Sequence, residues 1–301
     1  MTFSSDFLWL YLALGASFLN AIVVLIDKYL LVSPAVGKPA VYAFYVGSLS
    51  AAALLLLPFG VVLSPTASII ELSLVIAFSY IFSILFLYKS LKLCDASDVA
   101  PAVGAVSAVS TFIFGSLILR SQLPANFTPA FILLVIGTLL MSHLRFARNS
   151  TIFVILAGVL FGLSSVFLKM MFVSTTFWNG FFWSRLANVL GAMTLLLWPA
   201  NVKAVFHNLK SSSFGAKFTV VFNKGLAGFA FLMFLGAVSL GEVSLVNALS
   251  GVQFVFLLFF AAIFAKRLPN FIFETAHHGR VVLHKTLATG LIIAGLLILF
   301  L

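Results

Sequence analysis

Ionisable and polar side chains are scarce in this chain, and each one inside an apolar run is a candidate for chemistry. A charge within a bilayer is costly and needs either a partner or a wet cavity. Arg185 is the strongest candidate. Trp178, Phe181, Arg185, Asn188 and Ala192 recur at helical spacing on one face of an apolar stretch. The planar donor fork of an arginine suits a carboxylate or a phosphate, and Trp178 and Phe181 would pack on an apolar part of the same ligand. The competing reading is an arginine that snorkels to the interface or pairs with an acid. Asn223 and Lys224 open another run, followed by Ala227, Gly228 and Phe231. Either Lys224 snorkels, or with Arg185 it forms a positive vestibule for anions and zwitterions.

Asp27 shares a helical face with Ser17, Asn20 and Val24. It is the one acid placed to reach a cavity, as a coupling carboxylate or as half of a structural ion pair with Lys28 adjacent. With no carboxylate at mid-run, proton antiport is not expected. Asn247 and Gln253, with Ser244, Ser250 and Gly251, either line a cavity or bond neighbouring helices. Tyr80 with Ser79 and Ser83, and Ser107, Ser110 and Thr111, read the same way. Gly158 and Gly162 form a small-xxx-small pair suited to close helix packing. Glu274, His277 and His278 lie in a loop without the third or fourth ligand that zinc needs, so no metal site is expected. No Gly-rich phosphate loop, paired carboxylates or nucleophile with a base in register appears, so neither an enzyme nor a cofactor is expected. Cys94, the single cysteine, excludes an internal disulfide.

The elements that must position these residues follow from composition. Of 301 residues, 63% are apolar and 8% charged, against about 25% charged in an ordinary globular domain. Too few charges are available to cover a water-soluble surface. Continuous apolar runs such as 51–58 and 254–265 exclude the alternating pattern of a membrane β-barrel. The chain is expected to be an all-α integral membrane protein, multi-pass, in a bacterial-type plasma membrane. A span takes about 20 residues, which predicts ten spans at 8–31, 41–62, 69–93, 98–119, 128–145, 151–172, 177–199, 217–240, 244–265 and 286–301, each unbroken at mid-membrane. Residues 1–7 lack the basic start of a cleavable signal, so the first run is expected to be a true span.

Weak self-similarity divides these spans. Lys28 and Lys169 each end the first span of a half, and Pro58 and Pro199 the second, both pairs 141 residues apart. Leu123-Pro124 and Leu268-Pro269 are 145 apart, and Gly137–Leu140 matches Gly295–Ile298. Two five-helix halves, 1–147 and 148–301, are expected. An odd number of spans makes them cross the membrane in opposite senses around a central cavity. Thirteen of the 17 basic residues fall after odd-numbered spans and two, Arg120 and Lys169, on the other side. By the positive-inside rule this places both termini outside the cell. The net charge of +10 is thus topology information rather than a nucleic-acid footprint.

The stretches Ala96-Ser97-Asp98-Val99-Ala100-Pro101, Phe177-Trp178 with Phe182-Trp183-Ser184-Arg185, and Val238-Ser239-Leu240-Gly241-Glu242-Val243-Ser244-Leu245-Val246-Asn247-Ala248-Leu249 followed by Gly251-Val252-Gln253 carry a resemblance. Through them the chain resembles, over nearly its whole length, the EamA-like ten-helix members of the drug/metabolite transporter superfamily. The resemblance implies two inverted five-helix bundles, a central cavity, and transport of small metabolites such as amino acids. It also implies cytoplasmic termini, opposite to the charge count. The turns Ser121-Gln122-Leu123-Pro124 and Lys266-Arg267-Leu268-Pro269 lack the glutamate that the family commonly carries there. The expected function is secondary transport of a small polar metabolite, an amino acid or an organic anion or zwitterion, by alternating access. The rival is a lipid-linked intermediate flippase or a membrane scaffold subunit. The partners are a small-molecule substrate and the bilayer, not nucleic acid, with the chain monomeric or homodimeric.

Overall fold

The computed structural model describes residues 7–32, 38–94, 96–120, 123, 127–142, 148–211, 214–264 and 279–298. Among them all regular structure is helical. The α-helices are α1 (Leu8–Val32), α2 (Pro39–Leu49), α3 (Ala67–Leu93), α4 (Ala96–Phe114), α5 (Thr128–Met141), α6 (Arg148–Ser174), α7 (Phe177–Thr194), α8 (Pro199–Ser211), α9 (Phe214–Leu240), α10 (Val243–Leu249), α11 (Val252–Phe264) and α12 (Gly279–Ile298). Helix α2 runs on as 3₁₀ helix through Ser50–Phe59, and α4 as a π segment through Gly115–Leu119. Seven helical stretches among the described residues are long and apolar enough to cross a membrane, and three shorter apolar ones accompany them. The protein is therefore a helical membrane protein.

Local chemistry sets several boundaries. Thr66 accepts a hydrogen bond from the Ile69 N–H at the start of α3, and the Glu242 carboxylate accepts from the Ser244 and Leu245 N–H groups at the start of α10. Pro39 and Pro199 sit in first turns, where a missing N–H costs nothing. Glycine 60, at φ 67°, closes the 3₁₀ segment in a conformation that disfavours a side chain.

Two expectations about the spans are corrected. The ninth span is not continuous: α10 ends at Leu249 and α11 begins at Val252. Ser250 Oγ donates to the Asn247 carbonyl, and the Gly251 N–H donates to the Ala248 carbonyl, closing a tight turn. The break lies where α5 presses in, since a Cβ on Gly251 would collide with Thr138 Oγ1. Residues 199–211 form a helix where a loop was expected. Helix α8 buries Val205 and exposes Phe206, the pattern of a helix lying along an interface.

Helix ends are closed by lysines. The Lys28 ammonium donates to the carbonyls of Leu91 and Cys94, each at 2.9 Å, at the end of α3. The Lys169 ammonium donates to those of Val238, Ser239 and Gly241 at 2.9, 3.1 and 2.9 Å, at the end of α9. The last carbonyls of a helix have no partner within it, so a cation there satisfies them and opposes the negative dipole end.

Helix α3 packs on α6 and α7, α4 on α6, α1 on α9, and α5 on α12. Small residues set these approaches. Gly158 and Gly162 of α6 leave room for Val106 and Ser110 of α4, as the small-xxx-small spacing implied. Gly137 of α5 faces Ala288 and Ile292 of α12, while Gly295 of α12 faces Ala130 and Leu134 of α5.

Candidate functional site

Two adjoining cavities lie among α1, α2, α3, α4, α6, α7, α9, α10 and α11. The first, about 250 Å³, is lined by Asn20, Asp27, Tyr80, Tyr88, Lys224, Asn247, Ser250 and Gln253, together with Phe161 and Phe231. The second, about 560 Å³, is lined by Trp178, Phe181 and Arg185 from α7, residues 49–56, and the α9 face from Val221 to Leu232. Tyr80, Lys224 and Phe231 line both. Nine of the eleven residues singled out from sequence thus converge on one or both cavities from six helices, α1, α3, α7, α9, α10 and α11. Asn188 and Asn223 do not line either.

Asp27 is the hub of the first cavity. Its carboxylate accepts from Tyr42 OH, from Asn223 Nδ2 at 2.6 Å and from Lys224 Nζ at 2.7 Å, and from Tyr88 OH at 3.3 Å. Lys224 Nζ also donates to Tyr88 OH at 3.1 Å and lies 4.3 Å above the centre of the Tyr42 ring. Tyr42 and Tyr88 stack with centroids 4.7 Å apart. Four helices, α1, α2, α3 and α9, meet in this group. The Asp27 and Lys224 side chains are 9% and 6% exposed. Two charges withdrawn this far from water persist because attraction and surrounding donors offset their desolvation.

The pairing differs from both sequence alternatives. Lys224 does not snorkel; it turns inward. Asp27 is neutralised by Lys224, not by adjacent Lys28, which caps α3. Neighbouring residues on a helix point in directions about 100° apart, so Lys28 and Asp27 serve different neighbours. Asn223 belongs to the same group through its amide nitrogen.

Arg185 is held otherwise. Its guanidinium lies 4.5 Å from the centre of the Phe231 ring and 5.1 Å from that of Tyr80. Such contacts are worth up to about 2 kcal/mol when desolvated, yet they satisfy no N–H. Arg185 is 6% exposed, and its Nε and Nη2 are buried without an acceptor. One turn along, Asn188 is fully buried with both amide atoms unpartnered. Trp178 and Phe181 stand edge to face at 6.4 Å on the same wall.

The other polar candidates divide. Asn247 donates to the Val243 carbonyl and accepts from Ser165 Oγ at 3.4 Å while lining the first cavity. Ser79, Ser83 and Thr111 spend their hydroxyls on carbonyls of their own helices. Tyr42 and Tyr88, which no motif marks, are the residues missed; a tyrosine buried in an apolar helix needs a partner for its hydroxyl, and that was the available signal. Glu274, His277, His278, Lys266 and Arg267 lie outside the described residues. Among the described residues no group of three or more His, Cys, Asp or Glu side chains could hold a metal ion.

No family model and no curated relative matches the chain. A solved structure described as "Crystal structure of protein" superposes with a TM-score of 0.64 and 16% identity, over 94% of this chain and 97% of its own. At that identity the likeness is one of fold: this helical arrangement recurs over nearly the full length of both chains.

Proposed function

We propose that the protein is a secondary transporter for an anionic or zwitterionic small molecule, working by alternating access between two five-helix halves. The observation that carries the reading is Arg185: a buried cation with two unpartnered donors on the wall of a cavity at the heart of a membrane helical bundle. An unpaired charge there has lost its hydration, and an acidic group of a substrate would supply the missing acceptors.

The division into inverted halves, 1–147 and 148–301, is supported by reciprocal contacts. Lys28 on α1 caps α3, and Lys169 on α6 caps α9. Gly137 and Gly295 each seat the other's helix. Counting α2, α4 and α7 with their 3₁₀ or π extensions (Leu195–Leu197 for α7) and α10 with α11, ten apolar segments remain among the described residues, with α8 as an interfacial helix outside the repeat. The 13-to-2 bias in basic residues favours termini outside the cell.

The test is counterflow in proteoliposomes. Vesicles loaded in turn with single amino acids or organic anions should accumulate a labelled acid when it is among the substrates. Arg185→Ala should abolish that accumulation while leaving the protein folded. A flippase or scaffold subunit would move no small solute in this assay.

A further inference from the structure

The second cavity has a side wall that the transport of a fully polar solute would not need. Helices α2 and α9 touch where Asn223 Nδ2 donates to Tyr42 OH at 3.3 Å. Beyond that point residues 50–56 and 221–232 border the cavity from opposite sides. On the α9 side the border is made by Gly225 and Gly228, where an added Cβ would meet nothing within 4 Å. Large apolar side chains flank the gap and face outward: Leu55 is 73% exposed and Phe229 59%. The pseudo-equivalent seam between α3 and α7 is closed, with Gly191 packed against Ala77 and Ile81.

Depth decides what this gap faces. Gly228 stands 14 residues from the start of α9 and 12 from its end. At about 1.5 Å per residue it lies about 20 Å from either end, well inside a hydrocarbon layer about 30 Å thick. The gap therefore opens on acyl chains, not on water. Its inner end is Arg185. Of the charges on the two cavities, Lys224 is already matched by Asp27, which leaves one uncompensated positive charge.

We propose that this cavity binds an anionic single-chain amphiphile: an acidic head, carboxylate or phosphate, on Arg185, with one apolar chain lying out between the 3₁₀ segment and α9 into the bilayer. A neutral lipid would leave the Arg185 charge without a counter-charge, and a short polar anion would leave an apolar opening with nothing to fill it. The inference rests on Arg185 being the anion receptor, as in the transport reading, and narrows the substrate to an amphiphile.

Trp178 lines the cavity and serves as the reporter. The full chain in phosphatidylcholine nanodiscs is titrated with 9,10-dibromostearate, and the Trp178 contribution is isolated by difference from Trp178→Phe. Saturable quenching is expected. It should weaken about tenfold or more in Arg185→Gln and disappear in Gly228→Phe, a substitution that enters open space. The brominated alcohol of the same length should quench at least about tenfold more weakly. Unbrominated stearate and stearyl phosphate should both compete, their ranking identifying the head group, whereas acetate should not. Equal quenching by the alcohol, or competition by acetate as strong as by stearate, overturns the proposal. Carboxylate-specific quenching without counterflow would retire transport and keep the amphiphile site. Counterflow of short acids that is indifferent to stearate and to Gly228→Phe would do the reverse.

Discussion

Replacing Lys224 by methionine removes the charged partner of Asp27 at 2.7 Å. The carboxylate would then remain buried with only neutral donors, Tyr42, Tyr88 and Asn223, to stabilise it. Breaking a buried pair by deleting one partner costs about 3–5 kcal/mol. Three surviving donors place Lys224→Met near the lower end, about 3 kcal/mol. A shift of about 2–4 °C per kcal/mol applies to chains of comparable size, giving a fall in Tm of roughly 6–12 °C. Asp27→Asn alone strips the ammonium of its counter-charge instead, leaving it neutral acceptors such as Tyr88 OH and the new amide oxygen, and should cost a similar amount. The double variant Asp27→Asn/Lys224→Met carries no buried charge here and should lie within about 1 kcal/mol of the parent, because neutral replacement of a whole buried pair is often nearly neutral. The coupling term of the cycle should therefore be large, about 5–7 kcal/mol, since two single costs of about 3 kcal/mol each nearly vanish in the double variant. Thermal unfolding of the purified protein in one detergent at fixed pH measures all four corners. A single variant as stable as the parent, or costs that simply add in the double variant, would refute the idea that the two charges stabilise one another.

Three other outcomes follow from the geometry. Lys169→Met strips a cation from three carbonyls at the end of α9, and at about 1.5–3 kcal/mol for hydrogen bonds to a charged group it should lower Tm clearly; an unchanged Tm would show that those carbonyls find other partners. Gly251→Val should destabilise by about 1–3 kcal/mol through overpacking against Thr138, whereas Gly215→Ala, where a Cβ meets nothing within 4 Å, should leave Tm unchanged or slightly raised. With Cys94 replaced by serine, a membrane-impermeant maleimide applied to intact cells should label Ser64→Cys and spare Lys38→Cys; the opposite pattern would put the termini in the cytoplasm.

Much of the architecture was legible because hydropathy is a one-dimensional signal. The helices α1, α3, α4, α6, α7 and α9 begin and end within a few residues of the expected spans. What escaped was set by neighbours distant in sequence. The α10–α11 break follows from the closeness of Thr138, more than 100 residues earlier. Helix α8 is short and amphipathic, and an averaged hydropathy reads such a segment as a connection. At the site, Arg185, Trp178 and Phe181 were visible as a polar group on an aromatic face, and the cavity they line was inferred from the same spacing. The partner of Asp27 was not visible: Lys224 is 197 residues away, and adjacent Lys28 was the nearer but wrong choice. Tyr42 and Tyr88 were hidden because each lies in an apolar helix and its role rests on a single hydroxyl. The lateral gap was invisible for a related reason, since two glycines in α9 read as packing residues until it is seen that nothing packs on them.

The central claim is that Arg185 receives the acidic group of a transported molecule, and counterflow in proteoliposomes tests it most directly. For any acid that the parent protein exchanges, Arg185→Ala should reduce uptake at least a hundredfold, and Arg185→Lys, which keeps the charge but loses the planar fork, should fall between. Both variants should elute as folded protein, and Arg185→Ala should cost little stability, because losing buried unpaired donors relieves a cost that offsets the lost ring contacts. Undiminished exchange in folded Arg185→Ala would contradict the account.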